Sequence, residues 1–330
     1  MIDELATLVN SLGFMVLTFF LVPFFMMLAS MPNIIHKLRD KGCVSKDMYK
    51  KDLPDVALNG GLVILLLSLL SISIISLFYS RYIEDVNYAI ITVVSLFAFF
   101  GILDDVIDIG RPAKLILLYY CAYSLMPFIP HNINCCIPFI GTFTVGIIAL
   151  QIIIPLYVPV VANLVNMHSG FNGLAPGLSL MIIITLIIKA LYHGDVCKIL
   201  FIVSMAGALA GYYLFERYPS RIFWGNVGAL SVGAAIGAAI VVEGYLISGF
   251  IILIPHTVNF LLYVYWRLSS KKYPLVKFGK IRDDGTLEVP NPLTLKWILP
   301  YYFRLTEKQA TSFMYVLTAI FCIIGFAVPG

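Results

Sequence analysis

Charge is scarce in this chain. Only 12% of its 330 residues are Asp, Glu, Lys or Arg, against 60% hydrophobic, where a soluble domain carries about 25% charged residues. With a mean hydropathy of +0.94, this excludes an ordinary soluble enzyme and implies a polytopic membrane protein. Cysteine is sparse too. Cys43, Cys121, Cys135, Cys136, Cys197 and Cys322 include no C-x-x-C pair, so neither a zinc site nor a redox motif is supported. Adjacent Cys135 and Cys136 fall in a short loop assigned to the outside. A disulfide to Cys197 is one option there, and free or buried thiols the favoured one. A basic n-region is missing ahead of the first apolar run, which Asp3 and Glu4 precede. That run is also too long for an h-region, so it reads as a span rather than a signal peptide. No nucleic-acid partner is expected.

Apolar runs are abundant. A span needs about 20 apolar residues, and ten candidates stand near 5–31, 56–79, 88–103, 113–130, 144–162, 174–192, 197–215, 226–242, 245–266 and 311–328. The fold class is therefore an all-α polytopic membrane protein of about ten transmembrane helices. A single transmembrane domain covers 1–330, with 267–310 as its one sizeable loop segment. Nineteen of the 22 cations fall in the loops after the first, third, seventh and ninth spans, leaving Arg81, Lys189 and Lys198 for the other side. By the positive-inside rule those loops are cytoplasmic and both termini outside. Gly207 with Gly211, and Gly233 with Gly237, have the four-residue spacing that lets helices approach closely. Within 267–310, Asp283-Asp284-Gly285 between 277–282 and 286–289 is a β-hairpin signal, placing a small hairpin between spans nine and ten.

Phe100 to Lys114 closes one apolar run and opens the next, with Asp104, Asp105, Asp108, Arg111 and Lys114 at the membrane boundary. Charges at that depth tend to be paired, hydrated or ion-bound. On a continuous helix Asp104 and Asp108 share a face, as do Asp105 and Asp108. Clustered acids beside a lysine suit a divalent cation and a phosphate; an ordinary charged loop ending a span is an equal reading of these residues alone. Three further polar stretches fall on the same side. They are Asp47-Met48-Tyr49-Lys50 with Asn59-Gly60-Gly61, Asn163 to Leu174, and Tyr218 to Gly228. Asn and Asp oxygens suit Mg2+, lysines act as point charges on phosphate, and glycines let backbone approach a ligand.

The Asp104-Asp105 stretch, the Asn163–Leu174 stretch and Tyr218-Pro219-Ser220-Arg221-x-Phe223-x-Gly225 occur in this order in the polyprenyl-phosphate N-acetylhexosamine-1-phosphate transferases, and the chain resembles that family. The similarity runs from about Asp47 to about Glu288. It is nearest to the eukaryotic and archaeal UDP-GlcNAc:dolichyl-phosphate branch and more distant from the bacterial phospho-MurNAc-pentapeptide translocases. The resemblance implies attack of a polyprenyl or dolichyl phosphate on the sugar-bearing phosphorus of a UDP-sugar, with UMP leaving. It implies Mg2+ as cofactor, with Mn2+ as a substitute. Matched by position, Asn166 and Asn226 are metal-ligand positions, Asp104 and Asp105 the acidic pair near the phosphates, and Lys114 the pyrophosphate-binding lysine. Asp47 and Lys50 match an Asp-x-x-Lys near the site, and Gly170 and Asn172 a stretch near the uridine and pyrophosphate. Asp108, Asn163, Arg221 and Lys277 complete the substrate-binding candidates.

Asn226 stands where the family usually has Asp. The loop near Leu275-Val276-Lys277 lacks the Arg-His-Arg run that helps the eukaryotic enzyme recognise the N-acetyl sugar. These departures leave the donor sugar open and favour an archaeal enzyme starting N-glycan assembly; a homodimer is an allowed assembly. Two rival readings remain. One is an inactive family member with a binding role, motivated by Asn226, and the other a transporter, motivated by the boundary charges. The topology is checked by labelling intact cells with an impermeant thiol reagent. Cys135 and Cys136 should react and Cys43 should not; the opposite pattern inverts the assignment.

Overall fold

The computed structural model describes residues 11–107, 111–137, 141–269, 272–273 and 275–329. Asp108 lies outside the described residues. Helix α1 spans Leu12–Asp40, about 43 Å at 1.5 Å per residue. It outruns a bilayer core, so its last turns, with Lys37 and Arg39, project past the apolar zone, where cations also favour the helix C-terminus. Two short antiparallel strands follow, β1 Val44–Lys46 and β2 Asp55–Ala57, which push the start of the next helix to Gly61. Helix α2 covers Gly61–Tyr79 and α3 covers Val86–Ile107. Helix α4, Arg111–Ala122, continues as a 3-10 stretch to Phe128.

On the opposite face β3 Asn132–Ile137 pairs antiparallel with β4 Gly141–Gly146. The loop assigned to Cys135 and Cys136 is thus a hairpin strand. Helices α5 Ile147–Met167, α6 Leu174–His193, α7 Leu200–Glu216 and α8 Gly225–Val242 come next. The candidate span 245–266 divides into α9 Leu246–Ile252 and α10 Ile254–Leu268, bent by 63°. Pro255 lies in the first turn of α10, and its missing N–H cannot continue the ladder of α9. The expected hairpin forms as β5 Lys280–Ile281 against β6 Leu287–Glu288, with Gly285 at φ +80°. Helices α11 Leu295–Tyr302 and α12 Glu307–Ala327 end the chain. Among the described residues, eight helices are long and apolar enough to cross a membrane, and the bent pair makes a ninth. The tenth expected span is the shorter apolar stretch Ala113–Phe128.

Every residue of α8 from Val227 to Val242 is buried. Its Gly- and Ala-rich sequence lets it sit at the centre of the bundle. A Cβ on Gly233 would lie 2.6 Å from Ala162 Cα, and one on Gly237 2.9 Å from Val158 Cα. Gly207 and Gly211 do the same on α7, where they face the backbone carbonyls of Phe20 and Phe24. These spacings are packing, as read. Gly61 and Gly101 belong with them: Gly61 abuts Gly228, and a Cβ on Gly101 would meet Val227 Cα at 2.6 Å. Three helix ends are thereby drawn together at the basic face. At the opposite end the buried ammonium of Lys189 donates to Ser248 Oγ at 2.9 Å, Gly325 O at 3.2 Å and Val328 O at 2.5 Å, joining α6, α9 and α12.

The close glycine contacts carry a prediction. Gly101→Val should clash with α8 and lower stability by about 2 kcal/mol, the scale of overpacking a core. Thermal unfolding of the detergent-solubilised protein checks it, and an unchanged midpoint would show that α3 and α8 can part freely there.

Candidate active site

Two polar clusters form where the helices end on the basic face. The first is open. Near the C-terminus of α3, Asp104 pairs through Oδ2 with Lys114 Nζ at 2.7 Å, and both side chains are largely buried. Next to it Asp105 is exposed. Asn226, in the first turn of α8, donates from Nδ2 to Asp105 Oδ1 at 2.7 Å and to Asp104 Oδ2 at 3.4 Å. The amide orientation follows from the neighbours, since Oδ1 turned toward two carboxylates would repel them. Gly225 precedes at φ +69°, and a Cβ there would crowd Asn59 Oδ1 at 2.9 Å. A left-handed backbone pressed against a side chain requires glycine.

Asn166 reaches the same level from α5. The antiparallel register that sets Ala162 against Gly233 and Val158 against Gly237 puts Asn166 beside Ala229, one turn from Asn226. Asn163, in contrast, turns back on its own helix and donates to Pro159 O at 2.7 Å.

The second cluster is closed. Asp47, which is 3% exposed, accepts from Tyr49 N at 3.1 Å and from Asn172 Nδ2 at 3.1 Å. Lys50 Nζ lies 3.1 Å from Asp47 Oδ2 and 2.5 Å from Glu307 Oε2. Asn172 is committed on every side: its backbone N donates to Glu307 Oε1 at 2.6 Å, and its Oδ1 accepts from Ser220 N at 3.0 Å. The loop Ser169–Gly173 is held open by Gly170 at φ +109° and Gly173 at φ +71°. Backbone bonds stitch the entry to α2 and the stretch before α8 together, with Phe223 N donating to Ala57 O at 2.8 Å and Gly60 N to Phe223 O at 3.0 Å.

The structure thus brings Asp104, Asp105, Lys114 and Asn226 into one cluster, with Asn166 level with it. Asp47, Lys50 and Asn172 form the other. It leaves Arg221 and Lys277 out of both: Arg221 is exposed with its guanidinium 4.6 Å from the Phe215 ring, and Lys277 is exposed over Phe278 at 5.4 Å. Glu307 was missed from sequence. It stands in the first turn of α12 behind the capping box of Thr306 and Gln309, which accounts for an acid there and conceals its second role.

Removing one member of a buried ion cluster leaves its partners uncompensated. Lys50→Met would leave two carboxylates facing each other and should cost about 3 kcal/mol. Glu307→Gln keeps the acceptor for Asn172 N and leaves Lys50 with Asp47, and should cost about 1 kcal/mol. Thermal unfolding of both variants checks the order, and equal losses would refute it.

The glycosyl transferase family 4 profile matches residues 87–244. A protein of Saccharolobus solfataricus is 31% identical over 311 residues, covering 92% of this chain and 94% of its own. It carries the provisional name UDP-N-acetylglucosamine–dolichyl-phosphate N-acetylglucosaminephosphotransferase. A Sulfolobus acidocaldarius protein of the same provisional name is 31% identical over 296 residues, 87% of this chain and 88% of its own. The phospho-N-acetylmuramoyl-pentapeptide-transferase of Clostridium kluyveri is 26% identical over 336 residues, 93% of this chain and 96% of its own. The profile runs from the helix that delivers Asp104 and Asp105 to the end of the one that opens with Asn226. With relatives aligned over nearly the full length, this multi-pass membrane chain belongs to glycosyl transferase family 4, as an enzyme of its phosphotransferase type.

Proposed function

We propose that this protein transfers N-acetylglucosamine 1-phosphate from UDP-N-acetylglucosamine to a polyprenyl or dolichyl phosphate, releasing UMP, as the first step of lipid-linked glycan assembly. The observation that carries the reading is the open cluster, where Asp104 and Asp105 from α3, Lys114 from α4 and Asn226 from α8 adjoin on the face that gathers the cations. The names of the two 31% identical relatives carry the same donor and acceptor classes. The cation-rich loops support a cytoplasmic orientation of this face by the positive-inside rule, in a prokaryotic cell membrane like those of the organisms that hold the relatives.

An oxygen of the lipid phosphate forms the new bond to the sugar-bearing phosphorus, and the bond from that phosphorus to the UMP oxygen breaks. A phosphate monoester has a second pKa near 6, so the nucleophile is mostly dianionic at neutral pH. The obstacle is bringing anions together rather than removing a proton. Lys114, held by Asp104, offers the fixed positive charge for that approach. Asp104 orients the ammonium; a general-base role for it would make Asp104→Asn as severe as loss of the lysine, and an orienting role alone would make it milder.

The carboxylate of Asp105, which adjoins Asn226, and the amide oxygens of Asn226 and Asn166 are hard donors of the kind that suits Mg2+, and they are the residues that would hold it. A divalent cation held there would supply charge neutralisation for the leaving group. The Asn226 amide already satisfies both carboxylates through its N–H groups, so turning its oxygen toward a cation gives up two hydrogen bonds, and an amide brings no charge.

Release of UMP by the purified protein across a panel of UDP-sugars tests the function. UDP-N-acetylglucosamine should be the best donor and UDP-N-acetylgalactosamine next. Higher activity with UDP-glucose overturns the donor, and absence of UMP with both acetylated sugars overturns the activity and leaves the transporter reading. Lys114→Ala should reduce turnover by at least about 100-fold. Asn226→Asp should lower the Mg2+ concentration giving half-maximal rate by about tenfold or more, one charge being worth at least about 1.4 kcal/mol at such a contact. Equal concentrations would make Asn226 only a helix-end residue. No turnover as written, with activity restored by Asn226→Asp, would mark an inactive member that binds without reacting.

A further inference from the structure

Lys296 is absorbed by none of the roles above. It lies on the first turn of α11, a short helix outside the spans. Its backbone position is fixed from below, because Leu295 N donates to Asn259 Oδ1 at 3.0 Å while Asn259 Nδ2 donates to Met167 O at 3.1 Å. The side chain then leaves α11 and reaches the Ser169–Gly173 loop. Its Nζ donates to Ser169 O at 2.6 Å. Three rings surround the ammonium, with centroids at 5.1 Å for Phe171, 5.8 Å for Trp297 and 6.0 Å for Tyr49. The cage is itself fixed. Tyr49 packs edge-on against Phe171 at 4.9 Å, and its hydroxyl accepts from Gly279 N and Trp297 Nε1, each at 3.2 Å.

An ammonium has three donors. Among the described residues, Ser169 O is the one hydrogen-bond acceptor of Lys296 Nζ. The rings offer cation–π attraction but no acceptor oxygen. The remaining side is Gly170, which is exposed and whose missing Cβ is the space occupied by the Nζ. Water is thus partly excluded from a cation that keeps unused N–H groups beside an open glycine. Burial pulls the Lys296 ammonium down to about 8, so it stays largely charged at neutral pH. A half-desolvated cation gains strongly from an incoming oxygen acceptor.

We propose that Lys296 is a donor-binding residue, its ammonium taking an oxygen of the nucleotide part of the UDP-sugar over Gly170. The inference rests on the proposed reaction and on residues 169–173 lining the nucleotide site. It assigns to α11 and its segment a share in substrate recognition beyond covering the basic face. Gly170, whose φ of +109° favours glycine, leaves the space in which the ammonium meets Ser169 O.

Equilibrium binding of UMP, uridine and pyrophosphate to the full chain in detergent tests it, together with steady-state kinetics. Lys296→Met should weaken UMP binding at least about tenfold, the scale of a lost charged hydrogen bond. It should raise the donor KM by a similar factor while kcat and the acceptor KM move less than about threefold. Lys296→Gln keeps an N–H for Ser169 O and separates recognition from tethering. It should lose UMP affinity as well; UMP binding equal to the wild type would reduce Lys296 to a loop tether and overturn the proposal. Weakened uridine binding in the variants places the contact on the base or ribose, and weakened pyrophosphate binding places it on the phosphates. Wild-type protein that binds UMP, with both variants binding it equally well, overturns this inference alone. Wild-type protein that binds no UMP overturns the proposed function and this inference with it.

Discussion

Lys50 held between Asp47 and Glu307 is the contact on which the basic face depends. Its distances of 3.1 Å and 2.5 Å join the loop after α1 to the last helix, residues separated by most of the chain. Asn172 then ties both carboxylates to the loop after α5 and, through Ser220 N, to the stretch before α8. Buried charges survive only when paired and hydrogen-bonded. Here each carboxylate has an ammonium partner and at least one N–H donor. Fully satisfied, such a network fixes its members in one arrangement.

The contrast with the other cluster is instructive. There the carboxylates of Asp104 and Asp105 share one lysine and one amide, and Asp105 remains exposed. In the closed network the polar groups are paired with one another, whereas the open one leaves a carboxylate facing solvent. The chain therefore divides its boundary charges in two. One group ties loops to one another, and the other stands partly in contact with solvent next to helix ends.

Much of this was legible in the sequence. Long apolar runs gave the spans because water exclusion acts on composition. Asp283-Asp284-Gly285 gave a hairpin because its turn needs the left-handed backbone seen at Gly285. The order of the polar stretches gave the family and brought Asp104, Asp105, Lys114 and Asn226 together on paper. What was not legible depends on long-range pairing. Strands β1 and β2 are three residues each and borrow stability from the backbone bond between Ala57 and Phe223. Glu307 reads locally as a capping acid, and its bond to Lys50 spans 257 positions. Lys296 looks like one more loop cation until the three rings close around it. The break at Leu253 had a local signal in Pro255, outweighed by the continuous apolar run.

The anchor at the opposite end has a different character. Two of the three acceptors around Lys189 are main-chain carbonyls, Gly325 O and Val328 O. A carbonyl is supplied by any residue, so this attachment of α12 places almost no demand on the identity of the residues it grips. Position 325 is restricted by a different neighbour, Ile252, whose side chain fills the space of a Cβ. A comparison of sequences would therefore see a lysine in an apolar helix with Ser248 as the one side-chain acceptor able to co-vary with it among the described residues. The grip would be read as an oddity of one position, although it fastens three helices.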